Sequence, residues 1–144
     1  MIEKDTIRLL RECDAGTKMG IESITQVIDH VENHTFKDTL SKCRNEHKLL
    51  ENEINGQLDR FMDEGKEPNP MAKSMSWLKT NMKLAMDDSD KTVACLMTDG
   101  CNMGVKSLHR YLNQYHQADS DSKGIATRLI QLEDDLAKQM RKYL

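Results

Sequence analysis

Cys43 and His47 stand four residues apart. On a helix that spacing brings both side chains to one face, where a thiolate and an imidazole could grip a metal ion together. No second Cys/His pair with ligand spacing completes a tetrahedral set. The favoured expectation is therefore Cys43 as a small hydrophobe and His47 as a core residue held by a hydrogen bond. His30 and His34 repeat the four-residue step, and His109 and His116 stand seven apart; imidazoles near a helix end more often complement its dipole or face solvent. Asp14, Thr17, Thr98 and Cys101 interrupt otherwise apolar faces. They read as a polar layer that sets helix register or, alternatively, binds a small ligand. Cys101 lies well inside its helix with Asp99 close by, and it lacks the cation or helix N-terminus that makes a thiol nucleophilic. Cys13, Cys43, Cys95 and Cys101 form no CxxC pair, and no phosphate-cradling loop, nucleophile elbow or zinc-protease helix occurs.

These side chains need long helices to position them. Ile7, Leu10, Asp14, Thr17, Ile21, Ile24, Ile28 and Val31 recur at three- and four-residue steps. They mark one face of a helix about 30 residues and about 45 Å long. A start signal at Thr35 with Asp38 introduces a second seam, Phe36, Leu40, Cys43, His47, Leu50, Ile54, Leu58 and Phe61. The short turn between them predicts an antiparallel hairpin. Pro68 and Pro70, the only prolines, break the chain. Met71 to Met86 then reads as a shorter crossover helix with Met75, Leu78, Met82 and Met86 on one side and Trp77 beside them. Caps in Asp87–Asp90 precede a third seam, Ala94, Thr98, Cys101, Val105, Leu108, Leu112 and Tyr115. After a turn at Asp119–Ser122 comes a fourth, Ile125, Leu129, Leu132, Leu136, Met140 and Tyr143. No stretch alternates like a strand. The expectation is an all-α, single-domain four-helix bundle over residues 1–144. Hairpin 1 covers about 4–64, the crossover 65–88 and hairpin 2 about 89–144.

Composition limits what such a bundle does. The 144 residues carry 21 basic and 24 acidic side chains, a formal charge of −3. That balance offers no basic block for nucleic acid. A chain of this length can bury a core large enough to need no disulfide or metal for stability. The start, Met1 to Asp5, has no apolar export region, and no long uncharged apolar run exists. A cytoplasmic protein without membrane spans is expected, its cysteines reduced.

Gly16-Thr17-Lys18-Met19-Gly20-Ile21-Glu22-Ser23-Ile24 matches Gly100-Cys101-Asn102-Met103-Gly104-Val105-Lys106-Ser107-Leu108 at a constant offset of 84. Two helix-interior glycines at equal spacing in both first helices point to close packing and to two related hairpins. With the region around Lys18-Met19-Gly20, the crossover Ser74-Met75-Ser76-Trp77-Leu78-Lys79 and Leu84, this pattern resembles the ferritin-like superfamily. Within it, the nearest likeness is to small bacterial ferritin-like domains of unknown function, distantly akin to rubrerythrin. The resemblance covers about Ile7 to Tyr143.

A di-iron centre of that superfamily takes one Glu from each of two helices and a Glu-x-x-His from each of the other two. The resemblance aligns Glu46 and Glu133 with the motif glutamates, but Leu49 and Leu136 stand where the histidines belong, and Met19 and Met103 where further carboxylates belong. Thioethers suit softer ions than iron or manganese. The resemblance thus implies a non-catalytic bundle with a degenerate di-metal site, in a structural, scaffold or stress-associated role. It also implies self-association through long helix faces, in the simplest case as a dimer. No cofactor is expected. One alternative is a rubrerythrin-type metal or redox protein holding iron, manganese or zinc at Glu46 and Glu133 with help from Met19, Met103, Cys43 or His47. A second is a regulatory module docking a peptide or small molecule, for instance in the Met-rich groove.

Overall fold

The computed structural model describes residues 2–68, 84 and 87–144. Its order is α1 (Ile2–Val27), a 3-10 turn (Ile28–His30), α2 (His34–Arg60), α3 (Asp90–Gln114), α4 (Ser120–Met140) and a closing 3-10 turn (Arg141–Tyr143), with no strand among the described residues. The expected crossover helix Met71–Met86 and its methionines lie, Leu84 apart, outside the described residues.

Each later helix starts on a side-chain cap that satisfies an otherwise orphaned amide. Asn33 accepts from the Phe36 amide, Ser89 from Thr92 and Asp119 from Ser122. The second helix was expected to begin at Thr35; instead Asn33 caps it, because an Asx side chain bonds its own helix start more readily than Thr. The first helical run also tightens into its 3-10 turn after Val27 rather than continuing as one α-helix through the last seam residue, Val31.

Hydrogen bonds between the ends set the directions of the helices. The amides of Glu32 and Asn33, in the α1–α2 turn, donate to Asp90 at the start of α3. The amides of Gln117 and Asp119, in the α3–α4 turn, donate to Asp5 and Thr6 at the start of α1. Arg11 pairs with Asp63 just beyond α2. Helices α1 and α2 are therefore antiparallel, as are α3 and α4, and α2 ends at the opposite end of the bundle from the start of α3. The hairpin partners pack most extensively; α2 also packs on α4, and α1 on both α3 and α4.

Two apolar clusters fill the interior. One, near the α1–α2 turn, gathers Ile24, Phe36, Leu40, Val93, Met97, Leu136 and Met140, with Leu84 joining it. The other, near the α3–α4 turn, gathers Leu9, Leu10, Ile54, Leu58, Leu108, Ile125 and Leu129. The chain positions between these sets belong to a polar level.

Candidate functional site

At that level α2 turns His47 inward, 1% exposed, and α4 brings Glu133, its side chain 12% exposed. His47 Nε2 lies 3.0 Å from Glu133 Oε1, and Nδ1 lies 2.8 Å from the Cys43 carbonyl oxygen. A carbonyl can only accept, so Nδ1 carries a proton; with a carboxylate at Nε2 the ring holds both protons as an imidazolium. Burial works against that charge, but the bonds to Cys43 and Glu133 and the carboxylate's charge outweigh it and raise His47 from 6.5 to about 10. Cys43 Sγ stands 3.6 Å from Nδ1, so the Cys43/His47 pair does share one buried face. From α3, burial and then the charge of Glu133 push the Cys101 thiol pKa upward, which keeps it protonated and unreactive.

Glycines let the helices close on this pair. A Cβ at Gly20 would sit 2.8 Å from His47 Cδ2 and Nε2, and one at Gly104 would sit 3.5 Å from Glu133. Gly20 and Gly104 are the second glycines of the repeated segment, so the repeat places the backbones of α1 and α3 around one ion pair.

The other candidates are scattered. Glu46 lines an open groove between α2 and α4 with Leu49 and Asp135, whereas Glu133 is bonded to His47. His47, the neighbour of Glu46, takes the inward position, because successive helical residues are rotated by about 100°. Leu49, aligned with a metal-site histidine, is 69% exposed, whereas Leu136 is buried. Met103 is 70% exposed and Met19 only half-buried, so the repeat-related methionines are not a facing pair of ligands; Met103 points outward. His30, His34, His109 and His116 are all exposed.

Of the expected polar layer, the two threonines make only local bonds. Thr17 Oγ1 donates to the Cys13 and Asp14 carbonyls and Thr98 Oγ1 to the Ala94 carbonyl. Asp14 is 0% exposed. Its Oδ2 accepts from Lys18 Nζ at 2.9 Å and from the Lys66 amide at 3.0 Å, while Oδ1 has no partner among the described residues. Sequence reasoning missed this clamp, which fastens the residues after α2 to α1. Its one signal was the Asp14/Lys18 four-residue spacing.

The donor set does not fit a pair of metal ions. One carboxylate and one imidazole already satisfy each other, the second ring nitrogen is bound to the main chain, and among the described residues no three His, Cys, Asp or Glu side chains converge on a point. Nor is any described helix long and apolar enough to cross a membrane. No family model, curated protein or solved structure matches the chain.

Proposed function

We propose that this chain is a non-catalytic, ferritin-like helical bundle with a structural role, in which a charged hydrogen bond occupies the interior level where a di-metal protein of similar architecture would hold its ions. The observation that carries this reading is the 3.0 Å contact between His47 Nε2 and Glu133 Oε1. An imidazolium cannot offer Nε2 to a metal, and a carboxylate neutralised by it is a weakened ligand. Two further facts support the ferritin-like part: the antiparallel pairing within each hairpin, and the opposite-end placement of the α2 terminus and the α3 start, which calls for a long crossover. The glycines that admit the pair recur at corresponding places in α1 and α3, as two related hairpins would have them.

Elemental analysis of the purified protein, followed by thermal unfolding with added Fe(II), Mn(II) or Zn(II), tests it. A ligand that binds only the native state at a hundredfold excess over its Kd stabilises by about 2.7 kcal/mol. The expected result is substoichiometric metal and no shift of the midpoint. Stoichiometric metal that disappears from a Glu46→Ala/Glu133→Ala variant would overturn the reading.

A further inference from the structure

Beyond α2 the chain is fastened to α1 by carboxylates. Phe61 packs against the apolar cluster near the α3–α4 turn and Pro68 is buried, but none of residues 62–67 belongs to either cluster, and Met62 is 95% exposed. The Asp63 amide still bonds the Leu58 carbonyl oxygen; after it, the main chain of 64–67 makes no main-chain hydrogen bond among the described residues. Side chains take over. Arg11 forks onto the Asp63 carboxylate, Glu12 Oε1 accepts from Lys66 Nζ at 2.6 Å, and Lys18 Nζ reaches both Asp14 Oδ2 at 2.9 Å and Glu67 Oε1 at 3.0 Å. Asp63 Oδ1 also accepts from the Gly65 amide and Asp14 Oδ2 from the Lys66 amide. Every one of these bonds ends on a carboxylate oxygen.

This attachment differs in kind from the packing around it. The helices are held by buried apolar surface, which salt does not screen. The side chains of Arg11 and Lys66 are each 46% exposed. Charges so placed attract over a distance that shrinks from about 30 Å at 0.01 M salt to about 3 Å at 1 M. A segment with few apolar contacts and solvent-facing bonds is also the kind that opens locally, without the rest of the fold. Met62, at φ 53°, holds a left-handed conformation that a residue with a Cβ rarely adopts, so the path is kept against local strain.

The repeat shows that these charges are no part of the plan the two hairpins share. The positions 84 residues beyond Arg11, Glu12, Asp14 and Lys18 are Cys95, Leu96, Thr98 and Asn102, none of them charged. The charges occur only in the hairpin from which the connection departs.

We propose that residues 63–67 are a latch that opens from α1 and recloses as one unit while the four helices stay folded, and that ionic strength sets how far it is closed. The latch stands where the connection between the hairpins leaves the first of them. Its opening frees that connection at its root and admits water to Asp14. None of its residues belongs to the His47–Glu133 level, so it is independent of the metal-free reading of the interior.

Amide hydrogen exchange of the whole chain at neutral pH, followed residue by residue by NMR at about 20 mM and about 500 mM sodium chloride, tests it. The expected result is that protection of the Gly65 and Lys66 amides falls at least about fivefold at the higher salt, while that of Leu40 and Leu129 in the helices changes by less than about twofold. Asp63→Asn keeps an acceptor for the Gly65 amide but removes the charge, and at low salt it should lower protection of both latch amides at least about fivefold. Glu12→Lys and Lys66→Glu should each lower it as well, and the two together should restore it to within about threefold. The helix amides in the same spectra verify that each variant folds. Latch amides that are indifferent to salt, or that exchange only in step with the helices, would overturn the proposal. So would an Asp63→Asn variant with wild-type protection, or a charge swap without rescue.

Discussion

A charged ring held under two helices makes stability a function of pH, and the sign follows from which state keeps the proton. His47 holds its proton to about pH 10 when folded, against 6.5 for the ordinary side chain. The stabilisation is therefore complete below about pH 6.5 and is lost as pH rises through the folded value, by up to about 1.4 kcal/mol per pH unit. Burial raises the Cys13 thiol to about 12, which adds a loss of the same sign, but only above the ordinary thiol range. Between pH 7 and 8.5 the slope should accordingly report His47. Urea midpoints measured across that interval should fall in the wild type and stay flat in His47→Gln. At pH 7, Glu133→Ala should cost about 3–5 kcal/mol, because it strands a buried charge. Glu46→Ala, in an open groove, should stay within about 0.5 kcal/mol of wild type in the same titration. This contrast marks how far the site was legible. The spacing of Cys43 and His47 announced a shared buried face. The same seam already turned His47 inward; it was the alignment of Glu46 with a metal-site glutamate that competed with it, and neighbouring positions of one helix cannot both take the inward place. Glu133 likewise turns in where the seam pattern placed its neighbour Leu132, which the structure leaves half-buried on the groove.

Within single helices, the glycine repeat separates into positions with different work. Gly20→Ala adds a Cβ 2.8 Å from the His47 ring, which is held at both nitrogens and cannot swing away, so a loss of about 1–3 kcal/mol is expected despite the gain in helix propensity. Gly100→Ala meets open space and should gain about 0.5–1 kcal/mol. Thermal unfolding of the two variants side by side checks both signs. The segment after α2 is set by the same kind of constraint. Gly65 has φ +84°, and a Cβ there would fall 2.3 Å from Asp14 Oδ2, the oxygen that holds Lys18 and the Lys66 amide. Gly65→Ala should therefore cost at least about 2 kcal/mol by urea denaturation, from left-handed strain plus the broken clamp. The helices themselves were largely readable. Every residue of the Phe36-to-Leu58 seam is buried, because a 3.6-residue period survives any choice of neighbour. The edges of the core were not. Leu9, Cys13 and Val27 on α1, Val93 and Met97 on α3, and Ala126 and Ile130 on α4 are buried one position off the chosen seams. In a bundle each helix touches two or three others, so its buried stripe is wider than a single line of residues.

At the scale of the whole molecule, the two apolar clusters are separated by the level that holds His47 and Glu133. Such a pair is an uncertain source of net stability, since desolvating two ions offsets much of their attraction, but removing one partner alone is always costly. Its other effect is on alignment. A slide of α2 along α4 by one turn, about 5.4 Å, would carry the ring away from the carboxylate, whereas apolar residues on both sides could find new neighbours. Replacing both members by apolar side chains of similar volume, as His47→Met with Glu133→Leu, separates these roles. Each single change should lower stability by about 3 kcal/mol; the double variant should return to wild-type stability or exceed it by about 1–4 kcal/mol, with a large favourable coupling in the double-mutant cycle. The slope of stability with pH between 7 and 8.5 should vanish with it. If alignment is what the pair supplies, the double variant should also show a broader, less cooperative urea transition with a lower m-value, as the joined core becomes free to shift register. An unchanged m-value with restored stability would mean that the glycines and the caps at the helix ends hold the register on their own.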